Sequence, residues 1–175
     1  LTQAAPPRRP MSPIETVYSL GSAGERFDVS GLATTFGLLG RTENEAASPL
    51  LIAAFDAPSL AVRTAAVRAA LERRSPACLR ELLDRVDRLS DDELQVVYEM
   101  HGRLTSTLRD AVSGDDDARA ELGFRGAVRF HEYDLMPTLI NLLEEPGGRR
   151  SDAAAATLTD LADALVHELA SIRDE

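Results

Sequence analysis

Apolar residues in this chain recur at steps of three and four, the spacing that places side chains on one face of an α-helix. Ser12-Pro13-Ile14-Glu15 reads as a capping box with proline at the first helical position, and Gly21 ends that short helix. Ser30 to Leu39 reads as helical, although Gly31 and Gly37 weaken it. Thr42-x-x-Glu45 forms a second capping box. Pro58-Ser59 opens a helix striped with Leu60, Ala66, Ala70 and Leu71; Ser75-Pro76 opens the next, with Leu79, Leu82, Leu83, Val86 and Leu89. Ser90-Asp91-Asp92-Glu93 begins a long helix carrying Leu94, Val97, His101, Leu104, Leu108 and Val112, which stops at Gly114. Further helices are predicted from Asp115–Asp117 to about His131, from Asp134 to Glu144, and from about Asp152 to Ile172 with Leu158, Leu161, Leu165, Leu169 and Ile172 on one face. No segment alternates with period two for long enough to be a strand. Gaps of about two to six residues would make consecutive helices antiparallel neighbours.

Composition points the same way. There are 26 Ala and 25 Leu against 14 Val plus Ile, a ratio that favours helix over sheet. A net charge of −10 repels phosphate backbones, so no nucleic acid is expected as a partner. The single cysteine, Cys78, excludes an internal disulfide framework and a multi-thiolate metal site. Val29 to Gly40, among the longest uncharged stretches, is too short to cross a bilayer, so no membrane is expected either. The first eleven residues hold three prolines and no apolar run and are expected to be a flexible tail, with Met11 a plausible start. Residues 12–175 then form a single helical-repeat domain, expected in the cytoplasm.

All nineteen basic residues are arginine. Residues 63–88 carry seven arginines against four acids, while residues 89–121 carry nine acids against three arginines. The pairs Arg68–Glu72, Arg80–Asp84, Glu81–Arg85 and Asp84–Arg88 are spaced i,i+4, so the basic segment is expected to be self-paired along its helices.

The chain contains an internal repeat. Pro49-Leu50-Leu51-Ile52-Ala53-Ala54-Phe55-Asp56-Ala57-Pro58 aligns without gaps on Pro137-Thr138-Leu139-Ile140-Asn141-Leu142-Leu143-Glu144-Glu145-Pro146, and an alanine-rich helix follows each copy. The offset of 88 residues reads as two units of about 44. Pro49 in a first helix, Asp56 at the turn, and Val62-Arg63 with spaced alanines closing on Leu71 make the stretch Asn44 to Leu71 resemble a HEAT repeat. That resemblance implies an all-α fold of antiparallel helix pairs stacked as an α-solenoid, about four pairs in all, without a sheet. It also implies that Asp56 and Arg63 bond near the turn and between units, which makes Arg63 structural.

Candidate chemistry is sparse. His101 and His131 lie on apolar stripes and read as hydrogen-bonded core groups, whereas His167 lies off its stripe and faces solvent. Consecutive positions in His131-Glu132-Tyr133-Asp134 point around a helix and do not converge on a metal. Asp115-Asp116-Asp117 lacks the alternation of a calcium loop and reads as helix N-terminal acid. Cys78 reads as a buried small hydrophobe, and Tyr98 and Phe124 as packing groups. The function expected is therefore a non-catalytic protein–protein interaction scaffold with no cofactor and no metal. Its groove would be lined by second helices, with Arg68, Tyr98, Arg103 and Arg129 making polar contacts to a protein or peptide segment. The alternative is a small-molecule or enzymatic site in the same groove.

Overall fold

In the computed structural model, residues 29–144, 148 and 150–173 are described. They form nine α-helices and two 3₁₀ turns, with no strand among the described residues. The helices are α1 (Val29–Arg41), α2 (Ala47–Ala54), α3 (Leu60–Arg73), α4 (Pro76–Leu83), α5 (Asp91–Glu99), α6 (Thr105–Ser113), α7 (Asp117–Arg129), α8 (Met136–Glu144) and α9 (Ser151–Arg173). The first eleven residues and the helix expected over Ser12–Leu20 lie outside the described residues.

Two of the expected helix starts form as side-chain caps. Ser90 accepts from the Glu93 backbone N–H while the Glu93 carboxylate accepts from the Ser90 N–H, a reciprocal capping box for α5. Asp116 accepts from Ala118 and Arg119 at the head of α7. The capping box expected over Thr42 to Glu45 does not form: Thr42 accepts from Asn44, Asn44 accepts from Ala46, and α2 begins only at Ala47. Those short polar side chains satisfy the turn rather than the helix.

The long helix expected from Ser90 to Gly114 is two helices. Gly102 takes φ +77°, a conformation open to glycine at little cost, and the chain turns between Met100 and Leu104. His101 is consequently exposed in that turn, not in the core.

With the extra turn in place, four helix pairs follow α1: α2/α3, α4/α5, α6/α7 and α8/α9. First helices begin at residues 47, 76, 105 and 136, in steps of 29, 29 and 31. The 88-residue offset thus spans three short units rather than two of 44. Pro49 and Pro137 both sit in the first turn of a short first helix that packs on a longer second one. Contacts are local in sequence. First helices touch along α2–α4–α6, second helices touch along α1–α3–α5 and α7–α9, and the α2/α3, α6/α7 and α8/α9 pairs close on themselves, whereas α5 packs on α3 of the preceding unit.

The core runs between the two rows. Leu51, Leu71, Leu82, Leu83, Leu104, Leu108, Leu135, Leu139 and Leu161 are among its fully buried side chains. Cys78 is also sealed there, its thiol directed at the Ser48 carbonyl at 3.8 Å. Only part of the stripe expected on α9 is used: Leu161 is buried, but Leu169 is 52% exposed.

Polar side chains join each unit to the next. Asp56 takes both a 3.2 and a 2.7 Å bond from Arg85, which also bonds Glu81 and lies over the Phe55 ring. Arg63 donates to the Ala57 carbonyl at 3.0 Å, closing the α2–α3 turn, and to Glu93 of the next unit at 3.0 Å. Arg73 donates to the carbonyls of Thr42 and Asn44 and to Ser48, pinning the α1–α2 connection. Of the four expected i,i+4 pairs, Glu81–Arg85 is made; Arg68 instead reaches Glu99, and Asp84 and Asp87 meet Arg119 and Arg125. The basic segment is paired mainly across helices.

Glycine positions offer a direct check of this packing. A Cβ on Gly123 would lie 2.8 Å from Val112 Cγ1 and 3.0 Å from Ala111 Cβ, both on the rigid body of α6, whereas one on Gly37 meets open space. We expect Gly123→Ala to destabilise by about 1–3 kcal/mol through overpacking, and Gly37→Ala to stabilise by about 0.5–1 kcal/mol. Chemical denaturation of both variants measures this. The Arg63–Glu93 bond makes a second prediction. Burial pushes the Glu93 carboxyl up, but its bonds to Ser90 and Arg63 outweigh that and hold it below the ordinary range. A depressed carboxyl stabilises the fold above its unfolded-state pKa, and the contribution is lost as pH falls through the folded value. Arg63→Met should therefore cost about 2–3 kcal/mol at neutral pH. The difference from the parent should narrow in acid, as read from stability against pH.

Candidate functional site

The row of second helices presents two grooves with α5 between them. The first lies across α1, α3 and α5 and measures about 710 Å³. Phe36, Leu60, Ala65 and Val96 give it an apolar lining, and the Arg68–Glu99 pair, 2.6 Å between Nη2 and Oε2, stands at its edge with both side chains 46% exposed. The Arg68 guanidinium, by hydrogen bond and by charge, holds the Glu99 carboxyl below its usual range.

The second groove lies across α5, α7 and α9, and at its end a pocket of about 470 Å³ opens where α5 and α9 meet the α7–α8 connection. Here α7 ends in a Schellman motif: His131 N–H bonds the Val128 carbonyl at 3.1 Å and Glu132 N–H the Ala127 carbonyl at 3.0 Å. The left-handed position of that motif, usually glycine, is His131 with φ +52°. Its ring stacks on Tyr98 with centroids 5.1 Å apart, lies 6.1 Å from Tyr133, and bonds Glu168 of α9 at 2.5 Å through Nδ1. These contacts hold a histidine where its backbone is strained. His131 is half-exposed, so the core role expected for it is corrected. His167 is exposed, as expected.

Of the four residues read from sequence as contact groups, three gather around the last turn of α5. Arg68 reaches Glu99, and the adjacent Tyr98 donates its hydroxyl to the Arg129 carbonyl at 3.0 Å. Arg129 in turn donates to the Leu89 carbonyl at 3.2 Å. Arg103 is separate: it lies half-buried in the Met100–Leu104 turn and borders neither groove. Sequence reasoning did not single out Glu168, and it weighed Glu132 only within a string that does not converge on a metal. Nothing in the spacing of Glu168 relates it to His131, 37 residues earlier; only the packing of α9 on α7 does so.

Glu132 is 3% exposed behind the pocket, where Thr105 donates to it at 2.8 Å. Burial, aided by nearby Asp134, raises its carboxyl above the ordinary value against the bonds from Thr105 and Gly102. Tyr98 and Tyr133 are also raised, by burial first and then by surrounding carboxylates, Tyr133 to about 12. No group of three or more His, Cys, Asp or Glu side chains among the described residues is placed to hold a metal ion. No helix among them is long and apolar enough to cross a membrane.

A carboxyl whose folded pKa is raised stabilises the fold most below its unfolded-state pKa and loses that contribution as pH rises through the folded value. Glu132→Gln keeps an acceptor for Thr105 and removes the charge, so it should raise the melting temperature at pH 7. The gain should disappear near pH 4, where the parent carboxyl is itself protonated; thermal scans at both pH values check this.

No protein-family model, no curated protein and no solved structure matches this chain.

Proposed function

We propose that the chain is a non-catalytic binding scaffold, a stack of four HEAT-like helix pairs with α1 packed at one end, which holds a segment of another protein along its second helices. The 29-to-31-residue spacing of first helices and the main helix contacts, which join neighbouring units, support a solenoid, although the unit is shorter than the 40 to 47 residues common in HEAT arrays. The observation that carries the functional reading is the 710 Å³ groove across α1, α3 and α5. Its alanines keep the floor shallow and apolar, while Arg68, Glu99, Asp92 and Gln95 offer polar groups along the rim. That combination suits an amphipathic peptide better than a reaction. An enzymatic reading has less to stand on, because Cys78, the chain's one thiol, is sealed from solvent.

Peptides selected from a random display library against the purified chain test this. The reading predicts peptides whose affinity falls at least about tenfold, or 1.4 kcal/mol, with Ala65→Glu, which blocks the floor, and with Arg68→Glu. Arg80→Glu on a first helix should leave affinity unchanged, with circular dichroism confirming that each variant is folded. No selected peptide, or equal binding to the Ala65→Glu chain, would contradict it.

A further inference from the structure

The 470 Å³ pocket has a lining unlike the apolar groove. Three aromatic rings line it: Tyr98 stacks on His131 with centroids 5.1 Å apart and planes at 28°, and Tyr133 stands tilted at 39° with its centroid 6.1 Å from His131. Two accessible carboxylates border the same space, Glu168 from α9 with its side chain 42% exposed and Asp134 from the α7–α8 connection. Among the described residues no arginine lines this pocket. Tyr133 Oη is buried without a well-formed hydrogen bond, although Glu168 is near enough to make its proton harder to remove.

Planar rings beside carboxylates are a complement to one chemical group in particular. A guanidinium stacks on aromatic faces and directs its fork of N–H donors into carboxylate oxygens, which a compact ammonium does less well. His131 does not exhaust Glu168, because a carboxylate has two oxygens and about four lone-pair sites. We propose that this pocket is the anchor site for an arginine side chain of the bound protein segment, with the guanidinium on the aromatic rings and its donors on Glu168 and Asp134. The inference rests on the scaffold reading for the arginine's source, and the pocket's chemistry supplies the specificity. It also places the recognition of a basic residue in a chain whose net charge is −10, so approach of a cationic segment is favoured at long range.

The test uses the whole chain, labelled with ¹⁵N, and capped tripeptides Ala-Arg-Ala, Ala-Lys-Ala and Ala-norleucine-Ala. The arginine peptide should produce saturable shifts at the amides of Tyr98, Tyr133 and Glu168, and the norleucine peptide none. Glu168→Gln and, independently of His131, Asp134→Asn should each weaken arginine-peptide binding about three- to fivefold. Equal shifts from norleucine, equally tight binding of lysine, or unchanged affinity in a folded Asp134→Asn chain would overturn the assignment. Failure here alongside retained binding of library peptides at the α1–α3–α5 groove removes the arginine site and leaves the scaffold reading intact.

Discussion

A short helix exposes an apolar stripe that it cannot cover alone, and in this chain helices near in sequence cover it. The side chains that bridge neighbouring units show how regular that arrangement is. Ser48 meets Ser75, Asp56 meets Arg85, Arg63 meets Glu93, Arg68 meets Glu99 and Thr105 meets Glu132, each across 27 to 31 residues of sequence. These polar contacts lie at the margins of a leucine core, where a buried or half-buried group must find a partner. Their common separation sets the register of one pair on the next, and the two rows of helices follow from it. Arginine suits this task because one planar fork serves several acceptors at once, as Arg73 does at the α1–α2 connection and Arg150 at the carbonyls of Val112 and Gly114.

The grooves are consequences of the same register. Alanine-rich α3 packs on α1 and α5, alanine-rich α9 packs on α7, and shallow channels run along these second helices. α5 occupies the middle of that face, so its final turn links both channels: Glu99 turns toward Arg68 and Tyr98 toward Arg129 and His131. The α7–α8 connection adds the only left-handed histidine among the described residues, and α9 brings Glu168 onto it. A pocket lined from α5, α9 and the α7–α8 connection in this way depends on helix packing more than on any one motif.

Helix content and most helix limits were legible in the residues, because Ser90, Asp116, Gly114 and the leucine stripes act over a few positions. Gly102 was the costly omission: apolar residues on both sides keep helical spacing through it, so periodicity alone bridges a turn that the backbone makes. Losing that turn hid the short unit and turned three steps of about 30 residues into two of 44. The ion pairs were misassigned for a different reason. An i,i+4 spacing makes a partner reachable, but acids from the adjacent helix compete, and for Arg68 the Glu99 carboxylate wins. His131 had no local signal at all, since its position at a helix C-terminus is one that glycine ordinarily marks.

Spin-label distances measure the central arrangement most directly. Labels on Ala53 of α2 paired with Arg80 of α4, and on Ala53 paired with Asn141 of α8, occupy exposed positions one and three units apart. Helix packing at about 8–10 Å per step predicts that the first separation is near about 10 Å plus the label arms and that the second is longer by about 16–20 Å. A second distance equal to the first would mean that the pairs close into a bundle instead of forming a stack, and would contradict this account.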